Sequence, residues 1–480
     1  MTVDSSKTIP AFYAGQSIFL TGATGFLGKM FIEKILRSCP DVREIFLLIR
    51  SKKELTVNER FEKLLKLPLY DKLREEHFSS FEKIVPISGD VSEKGLGLSA
   101  TDRQMLVERV TIIIHAAASV RFNNSLAYII CTNVRATRDI CILAQSMKNL
   151  KALVYISTAF AHLNKTFIEE KMYPPIADWR KMIEIVETLD EHTLNVFMVK
   201  CLHYAPNTYI FSKNLAENII QEYSSSLPCA IVRPSISTYV FLMEECYLFH
   251  MSIKKYINES TSHHFLLLLT IFLAVHESRV GKTTSGSSSF VLNCTNQQCY
   301  TYERDIQMLY EITKKDVPFR IIWTPYTILT DNFVQFYTLT ILLHILPAIL
   351  IDLVLKFSGH RPMLLQLLRR IYVANCAVGY FSFHNWKYSN VNGLSLLSLI
   401  PPENREEFSF EFYILDRKMY MKNGMIGVKK FLLHEDVNLL QLDAVKKRNK
   451  RVYLLARVIK TIISIGVLWI IYRWIYFYTL

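Results

Sequence analysis

The most constraining feature of the chain is residues 17–36, SIFLTGATGFLGKMFIEKIL, in which an apolar run precedes a glycine-rich loop and an amphipathic stretch. The glycines have the spacing G-x-x-G-x-x-G: the first permits a tight turn, the second lets backbone N–H groups approach a pyrophosphate, and the third lets helix and strand pack closely. Such a triplet alone also occurs in ordinary loops, but its position between a predicted strand and a predicted helix indicates dinucleotide binding. The residues expected to contact the cofactor here are Gly22, Thr24, Gly25, Phe26, Leu27 and Gly28.

The first 235 residues alternate short apolar runs with longer amphipathic stretches, which is typical of a βαβ protein. We therefore expect an α/β fold with a doubly wound, Rossmann-type parallel sheet and right-handed crossovers. The predicted strands are Ser17–Thr21, Glu44–Arg50, Lys83–Ser88, Thr111–His115, Ala152–Ser157 and Cys229–Arg233.

The end of the second predicted strand bears on the choice of cofactor. NAD-preferring proteins usually place an acid there to hold the ribose 2′-hydroxyl, whereas this strand ends FLLIR-SKK. Because a cation suits a 2′-phosphate, the sequence predicts NADPH, with Arg50 as its contact. A solvated basic turn is the alternative for Lys52 and Lys53, and it fits Arg50 less well.

Later strand ends supply further candidates. Asp90 and Val91 follow the third strand, where Asp90 could accept a hydrogen bond from the adenine, and Ala116 and Ala117 follow the fourth, where small side chains would let the cofactor lie close. The fifth strand ends in Ser157 and Thr158, whose hydroxyls would open into the ligand crevice. We expect His115 and His162 to be packing or local hydrogen-bonding residues rather than catalysts.

A tyrosine and a lysine lie four residues apart in NTYIFSK, at positions 209 and 213. On a helix both would point the same way, and a cation beside a phenol favours proton donation near neutral pH. Tyr-x-x-x-Lys alone is also common on ordinary surface helices.

The C-terminal part is rich in apolar and aromatic residues and is predicted to be mostly helical from 326 to 440. Its segment FVQFYTLTILLHILPAILIDLVL is long enough to cross a membrane. However, His344, Pro347 and Asp352 interrupt it, so a buried or interfacial helical hairpin is at least as well supported.

Thr461–Leu480 follows a basic flank and has bilayer length, which predicts a C-terminal transmembrane helix with the body of the protein in the cytosol. An apolar helix packed on the body is the alternative, because Arg473 lies within the segment.

The formal charge of +13 does not indicate nucleic-acid binding, because eight Lys or Arg residues and no acid lie from Lys446 onward. A basic run beside an apolar segment fits anionic membrane lipid better. The first fifteen residues lack a signal-peptide pattern, and the nine cysteines show no paired spacing, which favours a reducing compartment and argues against a metal site.

Taken together, TGATGFLG, HAAASVRF, NVRAT, YISTAFA, Tyr209-x-x-x-Lys213 and VRPS resemble an extended short-chain dehydrogenase/reductase. The resemblance implies that Tyr209 exchanges a proton with the substrate oxygen and that Lys213 binds the nicotinamide ribose and lowers the tyrosine pKa. It further implies that Thr158 hydrogen-bonds the substrate carbonyl and that Asn133 belongs to a proton relay.

The opening FYAGQSIFLTGATGFLGKMFIEKILRSCPDVREIFLLIRSKK and the later HILPAILIDLVLKFSGHRP and YFSFHNWKYSNVN resemble fatty acyl-CoA reductases. The resemblance covers about 1–235 and 290–435, and implies reduction of a long-chain acyl-CoA to a primary alcohol with two NADPH. A membrane at the endoplasmic reticulum is expected rather than the peroxisome; the oligomeric state stays open.

Residues 236–288 depart from that family, since no tryptophan- and glycine-rich loop follows VRPSI, and FSFEFYILDRKMY also differs. Two alternatives therefore stay open: a catalytically impaired NADPH-binding relative, and another membrane-bound extended reductase with a sterol-like substrate. The expected regions are 1–235 for NADPH binding, 236–325 for the rest of the substrate region, 326–440 for the helical domain and 441–480 for the anchor.

Overall fold

The computed structural model describes most of the N-terminal half and discontinuous parts of the rest. The described residues are 8–52, 54–235, 250–252, 290–295, 302–320, 327–330, 332–369, 372, 380–381, 384, 386–400, 402–408, 417–429 and 439–479. The segments 236–249 and 253–289, which contain most of the departure from the family pattern, lie outside the described residues, as does Lys53.

A seven-stranded parallel sheet with the order β3-β2-β1-β4-β5-β7-β9 organises the N-terminal half. Its strands are β1 (Ser17–Thr21), β2 (Glu44–Ile49), β3 (Ile84–Ser88), β4 (Ile112–His115), β5 (Ala152–Ile156), β7 (Cys229–Pro234) and β9 (Phe290–Cys294). The order reverses between β1 and β4, and that reversal opens a crevice beyond the carboxyl ends of the strands. The α/β prediction and all six predicted strands are confirmed; the seventh, β9, was not predicted.

Helices fill the intervals between these strands. They are α1 (Ile9–Tyr13), α2 (Phe26–Ser38), α3 (Val57–Leu65), α4 (Asp71–Glu76), α5 (Ala100–Arg109), α6 (Leu126–Ile129), α7 (Ala136–Gln145), α8 (Trp179–Thr188), α9 (Glu191–Cys201) and α10 (Thr208–Tyr223). Side-chain caps define several starts: Thr56 forms a capping box with Glu59 at α3, and Asn207 accepts a hydrogen bond from the Ile210 N–H at α10. A π-helix, Ile130–Arg135, joins α6 to α7.

The sheet is buried on both faces, as expected of parallel strands covered by helices. Every residue of β1, β2, β4 and β5 is buried. Burying an aliphatic side chain of this kind stabilises the fold by about 1.5–3 kcal/mol. The sheet is therefore a rigid support for residues at its carboxyl edge.

A distant part of the chain returns to this sheet. The first of two compact units comprises Met1–Ser237, Glu259–Gln298 and Trp386–Phe412. Within it, strand β6 (Phe167–Ile168) pairs in parallel with β11 (Lys387–Tyr388), and two further helices follow, α14 (Val391–Leu399) and α15 (Arg405–Phe408).

The second unit contains its own small core. Helices α11 (Tyr302–Lys315) and α16 (Arg417–Gly427) contribute to it, and strands β8 (His250–Ser252) and β10 (Thr327–Leu329) pair in parallel. The buried residues of this core are Leu309, Ile312, Val317, Phe319, Met421, Met425 and Val428.

The remaining helices of the second unit agree with the prediction that this part is mostly helical. Helix α12 (Phe333–Thr340) continues through a π-helical segment, Ile341–Ile345, into α13 (Leu346–Phe357). Among the described residues, Val334–Phe357 is long and apolar enough to cross a membrane, and few of its residues are buried, which disagrees with a buried hairpin. The predicted C-terminal anchor lies in α17 (Leu439–Thr479), where several side chains are outside the described residues.

Candidate active site

The glycine loop is held tightly against the end of β4. Gly22 has φ +78°, a conformation that side chains rarely adopt, and a Cβ there would lie 2.8 Å from the carbonyl carbon and oxygen of Ala116. A Cβ on Gly28 would lie 2.4 Å from the carbonyl oxygen of Gly22. The loop therefore accepts no side chain at either position. Gly25 is the N-cap residue of α2 and lacks a side-chain cap, so N–H groups of the first turn remain for an anion.

A basic corner lies at the ends of β2 and β3. The Arg50 Nη1 atom donates to Asp90 Oδ2 at 3.3 Å. Partial burial opposes ionisation of Asp90, but hydrogen bonds from Ser92 and the charge of Arg50 lower its pKa. Asp90 is therefore an anion that already accepts three hydrogen bonds, two from Ser92 and one from Arg50.

Arg60, on α3, is a second cation at this corner. Its guanidinium donates to the carbonyl oxygen of Arg50 and, at 3.3 Å, to the hydroxyl of Thr24. Sequence reasoning missed Arg60, because ten residues of unpredicted loop and helix separate it from the strand end. The charge pattern of α3 offered no means to distinguish it from a solvated arginine.

The end of β4 is fixed by a buried chain of polar contacts. The Thr21 hydroxyl accepts from the Ala117 N–H at 3.1 Å and contacts His115 Nδ1 at 2.8 Å, while His115 Nε2 contacts the Thr137 hydroxyl at 3.1 Å. Complete burial lowers the pKa of His115 to about 3, so its ring is neutral. The expectation that His115 is a local hydrogen-bonding residue is confirmed.

Tyr209 and Lys213 lie one turn apart on α10, as the spacing predicts. Burial raises the pKa of Tyr209 to about 12, opposed by a hydrogen bond with Thr158, and its ring lies 5.9 Å from that of Phe122. Lys213 donates to the carbonyl oxygen of Ile156 at 2.6 Å, and burial lowers its pKa to about 7. The ammonium thus points at the end of β5, and the phenol pKa is raised rather than lowered in this structure.

The two hydroxyls that end β5 have different surroundings. The Ser157 hydroxyl donates a hydrogen bond to Glu217 Oε1 at 2.5 Å, and both residues are buried. Thr158 contacts the carbonyl oxygen of Pro234 at 3.5 Å and hydrogen-bonds Tyr209. Of the two, Thr158 is the hydroxyl that is paired with the phenol.

Asn133 is buried in the π-helix that joins α6 to α7. Its amide donates to the Ser212 hydroxyl at 2.9 Å and to the carbonyl oxygen of Ser119 at 3.1 Å, and its oxygen accepts from the Ser119 N–H at 2.8 Å. Ser212 is next to Lys213 in α10. Asn133 therefore connects the loop after β4 to the helix that carries the Tyr–Lys pair.

A buried ionic cluster lies one turn beyond Lys213. Glu217 accepts from Arg233 Nη2 at 2.7 Å and from Nε at 2.9 Å, and it contacts His162 Nε2 at 2.7 Å. Despite burial, these partners lower the pKa of Glu217 well below its usual range. His162 is thus engaged in local hydrogen bonding, as expected, whereas the sequence did not single out Glu217.

The predicted residues therefore form two groups along the carboxyl edge of the sheet. One group surrounds the glycine loop and the basic corner: Gly22, Thr24, Gly25, Phe26, Leu27, Gly28, Arg50, Asp90 and Val91. The other surrounds the Tyr–Lys pair: Asn133, Thr158, Tyr209 and Lys213. Ala116 and Ala117, at the end of β4, lie against Gly22 of the first group. The backbone cradle at Gly22 and Gly28 fits a dinucleotide pyrophosphate, and the described residues contain no cluster of three or more metal-ligating side chains.

Comparisons with known proteins show the family of the chain. Residues 20–271 match an NAD-binding family described as male sterility protein, and residues 343–435 match a second family of that description. The chain is 32% identical over 454 residues to fatty acyl-CoA reductase 1 of Homo sapiens, covering 90% of this chain and 87% of that protein. It is 33% identical over 460 residues to fatty acyl-CoA reductase 2 of Mus musculus, covering 89% and 87%.

Two solved structures share the fold. The terminal R domain of the myxalamid biosynthetic pathway has a TM-score of 0.53 at 21% identity, covering 80% of this chain and 85% of that one. A thiolation-reductase di-domain from an archaeal non-ribosomal peptide synthetase has a TM-score of 0.51 at 18% identity, covering 90% and 79%.

The parallel sheet, the glycine cradle and the near full-length similarity lead to one conclusion. This chain belongs to the fatty acyl-CoA reductase family, oxidoreductases that use a nicotinamide cofactor on an extended short-chain dehydrogenase/reductase fold.

Proposed function

We propose that the protein reduces long-chain fatty acyl-CoA to a primary fatty alcohol with NADPH, releasing coenzyme A and passing through an aldehyde. The observation that carries the proposal is the meeting of Tyr209, Thr158 and Lys213 at the carboxyl edge of the sheet, beside a glycine cradle. That arrangement suits a carbonyl oxygen that gains negative charge and then a proton.

Two NADPH molecules, bound one after the other, would each supply one hydride, the first to convert thioester to aldehyde and the second to convert aldehyde to alcohol. For this cofactor, Gly22, Gly25 and Gly28 would cradle the pyrophosphate, and Arg50 with Arg60 would hold the 2′-phosphate. Asp90 and Val91 would contact the adenine, and Ala116 and Ala117 would allow close approach along β4.

The side chains of this protein act on the substrate oxygen. Thr158 and Tyr209 donate hydrogen bonds to the carbonyl oxygen and stabilise the charge that develops on it. Tyr209 then gives its proton to the oxygen. A protonated Lys213 stabilises the phenolate left behind, and Asn133 links this helix to the loop through Ser212 and Ser119.

The burial of Lys213 agrees with a role in controlling charge. Its pKa of about 7 lets it exchange a proton near neutral pH, whereas an exposed lysine would stay charged. Phosphates of a bound dinucleotide would raise this pKa again, which would favour the cation when the cofactor is present.

The proposal is tested by an alcohol assay on membranes that contain the full chain, with NADPH and acyl-CoAs of several lengths, and products identified by mass. Tyr209→Phe should lose alcohol formation while NADPH binding stays nearly intact. The matched control is Tyr223→Phe, which removes a phenol at the other end of α10 and should stay active. Appreciable turnover by Tyr209→Phe would contradict the assignment.

A second candidate function is a catalytically impaired NADPH-binding protein. The observation that favours it is the departure of residues 236–288 from the family pattern. Retained NADPH binding without alcohol or aldehyde, in the parent and the variant alike, would identify this case. Sequencing the transcript across codons 236–288 would separate a genuine replacement from a translated intron.

We further propose that the enzyme faces the cytosol from the endoplasmic reticulum, anchored by residues 461–480. The basic residues from Lys446 onward precede the apolar segment and suit the cytosolic leaflet. In this arrangement 1–235 binds NADPH, 236–325 is the rest of the substrate region, 326–440 is the helical domain, and 441–480 holds the enzyme at the membrane into which its substrate partitions.

A further inference from the structure

The helix from Val334 to Phe357 presents apolar side chains to solvent on several faces. Leu350 is 64% exposed, Val354 63% and Phe357 88%. Its large exposed apolar residues are Val334, Ile341, Leu342, Leu343, Ile345, Leu346, Ile349, Leu350, Ile351, Leu353, Val354 and Phe357. Water does not tolerate a continuous apolar surface of this size, so it requires a partner.

Residues 356–363, which end this helix and follow it and are called the tip below, lie in a segment whose backbone groups form hydrogen bonds within it. The Asp352 carboxylate accepts hydrogen bonds from the backbone N–H groups of Met363, Leu364 and Leu365 at 3.0, 3.0 and 2.9 Å. It thereby caps the helical segment that follows, residues 364–369. The His360 N–H donates to the carbonyl oxygen of Leu355 at 2.8 Å, and Gly359 adopts φ +77°. Internally satisfied backbone is what a lipid environment demands.

The chain then runs back beside the first helix. The hydroxyls of Tyr337, near the start of the helix, and of Tyr372 lie 3.4 Å apart. With the Asp352 contacts, this defines a helical hairpin within residues 333–372, of which the structure describes 333–369 and Tyr372. Its tip carries the exposed cations Lys356 and Arg361, and its return arm carries Arg369.

Connectivity restricts how this hairpin can meet a membrane. Strand β9, before it, and residues 386–412, after it, both belong to the first unit, where Asn293 donates to the carbonyl oxygen of Ser389 at 3.0 Å. The chain between them must therefore enter and leave a membrane on one side. A single crossing by Val334–Phe357 is excluded.

We propose that the hairpin of residues 333–372 is embedded in one leaflet of the bilayer, on the same side as the reductase unit, and that its partner is lipid. Lys356, Arg361 and Arg369 lie at both ends of it, where anionic headgroups would pair with them. A tip that crossed would carry Lys356 and Arg361 through the hydrocarbon. This inference does not depend on the proposed catalytic residues.

The side of the tip is tested by glycosylation in translation with endoplasmic reticulum membranes. Ser358→Asn with His360→Thr creates an acceptor site at the tip of the full chain. We expect no glycosylation there. An acceptor site on a tail added after Leu480 is the companion measurement, because the proposed C-terminal anchor places that tail in the lumen. A glycosylated tip would overturn the one-leaflet arrangement; an unmodified tail would contradict the anchor instead.

Contact with lipid is tested by placing an environment-sensitive fluorophore in the full chain. An NBD-bearing lysine at Leu350 should be quenched by nitroxide-labelled lipid and protected from aqueous iodide. The matched control is the same probe at Phe78, an apolar residue of the first unit that is 69% exposed. There the probe should be quenched by iodide and not by nitroxide-labelled lipid. Quenching by iodide at 350 would overturn the proposal, and so would protection from both quenchers, which would indicate a protein partner such as a second copy.

Discussion

At the scale of single residues, the site combines groups that burial drives toward their neutral forms. Tyr209 keeps its proton because its pKa is raised, and Lys213 is half-deprotonated near pH 7 because its pKa is lowered. Nearby charges therefore decide how the pair behaves. Burial lowers the pKa of Lys213, and the negative charge of Glu217, four residues later, acts in the opposite direction and raises it.

Removing that anion should change the pH dependence of catalysis. Glu217→Gln removes the negative charge that raises the pKa of Lys213, so this pKa should decrease. As the pH rises, Lys213 should then lose its proton at a lower pH than in the parent. The alkaline limb of kcat/KM should then move to lower pH by a measurable fraction of a unit. At pH 8, kcat/KM should fall by less than about 10-fold, since a shift of one pH unit changes it at most tenfold.

The control for this experiment is Glu222→Gln, an exposed carboxylate on the same helix that pairs with Arg180. It should leave the pH profile unchanged. A purely structural role of Glu217 would lower the amount of active enzyme at every pH without moving the limb, and that result would contradict the electrostatic role.

Two cations, rather than one, should set the cofactor preference. Arg50→Ala and Arg60→Ala should each narrow the ratio of kcat/KM for NADPH over NADH by about 10-fold, because a charge-assisted contact to phosphate contributes about 1.5–3 kcal/mol. The measurement compares initial rates with the two cofactors.

Lys63→Ala is the control for Arg60, since Lys63 is an exposed cation on the same helix. Its cofactor ratio should not change. An unchanged ratio in Arg50→Ala would show that Arg50 is the wrong residue for the contact to the 2′-phosphate.

At the scale of elements, helix α15 is clamped onto α2, the helix that follows the glycine loop. Glu407 accepts from Arg37 Nη1 at 2.7 Å and from Ser38 at 2.5 Å, and it pairs with the buried Lys34. Partial burial opposes ionisation of Glu407, but these donors lower its pKa to about 2. The folded protein therefore prefers the ionised carboxylate.

Glu407→Gln should destabilise the fold by about 1–3 kcal/mol at pH 7, because the buried Lys34 ammonium would lose its counter-ion. The folded pKa lies below the ordinary value of 4.5, so the contribution is complete above about pH 4.5 and is lost as the pH falls toward 2. Chemical unfolding at pH 7 and at pH 3 measures the difference.

Glu62→Gln is the comparison, since that carboxylate forms an exposed pair with Lys66 and should cost little at either pH. If Glu407→Gln lowers the free energy of unfolding by the same amount at pH 7 and at pH 3, the carboxylate charge does not hold α15.

The elements that sequence could predict are those whose signals are local. The apolar runs of β1, β2, β4 and β5 are buried on both faces, and each is short and bounded by turns or helices. Strand β9 has the same length but follows residues of atypical pattern, so nothing local connected FVLNC to the sheet. Arg60, Glu217 and the π-helix around Asn133 depend on contacts between distant segments, which period and spacing do not report.

At the scale of the whole molecule, residues 386–412 complete the first unit from far along the chain. The Glu170 carboxylate accepts from the N–H groups of Asn293, at 2.9 Å, and Asn392, at 2.6 Å, and so joins β9 to the start of α14. Burial raises the pKa of Glu170 to about 7 against these hydrogen bonds. Trp386 also donates to the carbonyl oxygen of Leu163 at 3.4 Å.

A chain that ends at residue 412 should therefore fold its first unit better than one that ends at residue 385. The two truncations differ only by residues 386–412, so both lack the C-terminal helix. We expect the longer chain to bind NADPH, measured by the change in NADPH fluorescence, and to unfold cooperatively. The shorter chain should do neither. Equal NADPH binding by both would show that the first unit is complete without this segment.

The late return of residues 386–412 also has a consequence for biosynthesis. Between the synthesis of the Tyr–Lys helix, which ends at Tyr223, and that of Phe408, the ribosome must add the whole intervening chain, which at 5–20 residues per second takes roughly 10–40 s. During that interval the apolar helix Val334–Phe357 emerges while Lys34 still lacks Glu407 and Asn293 of β9 still lacks Ser389. With this helix embedded in the bilayer as proposed, membrane contact of the nascent chain would precede closure of the reductase unit, which would then finish folding at the membrane surface.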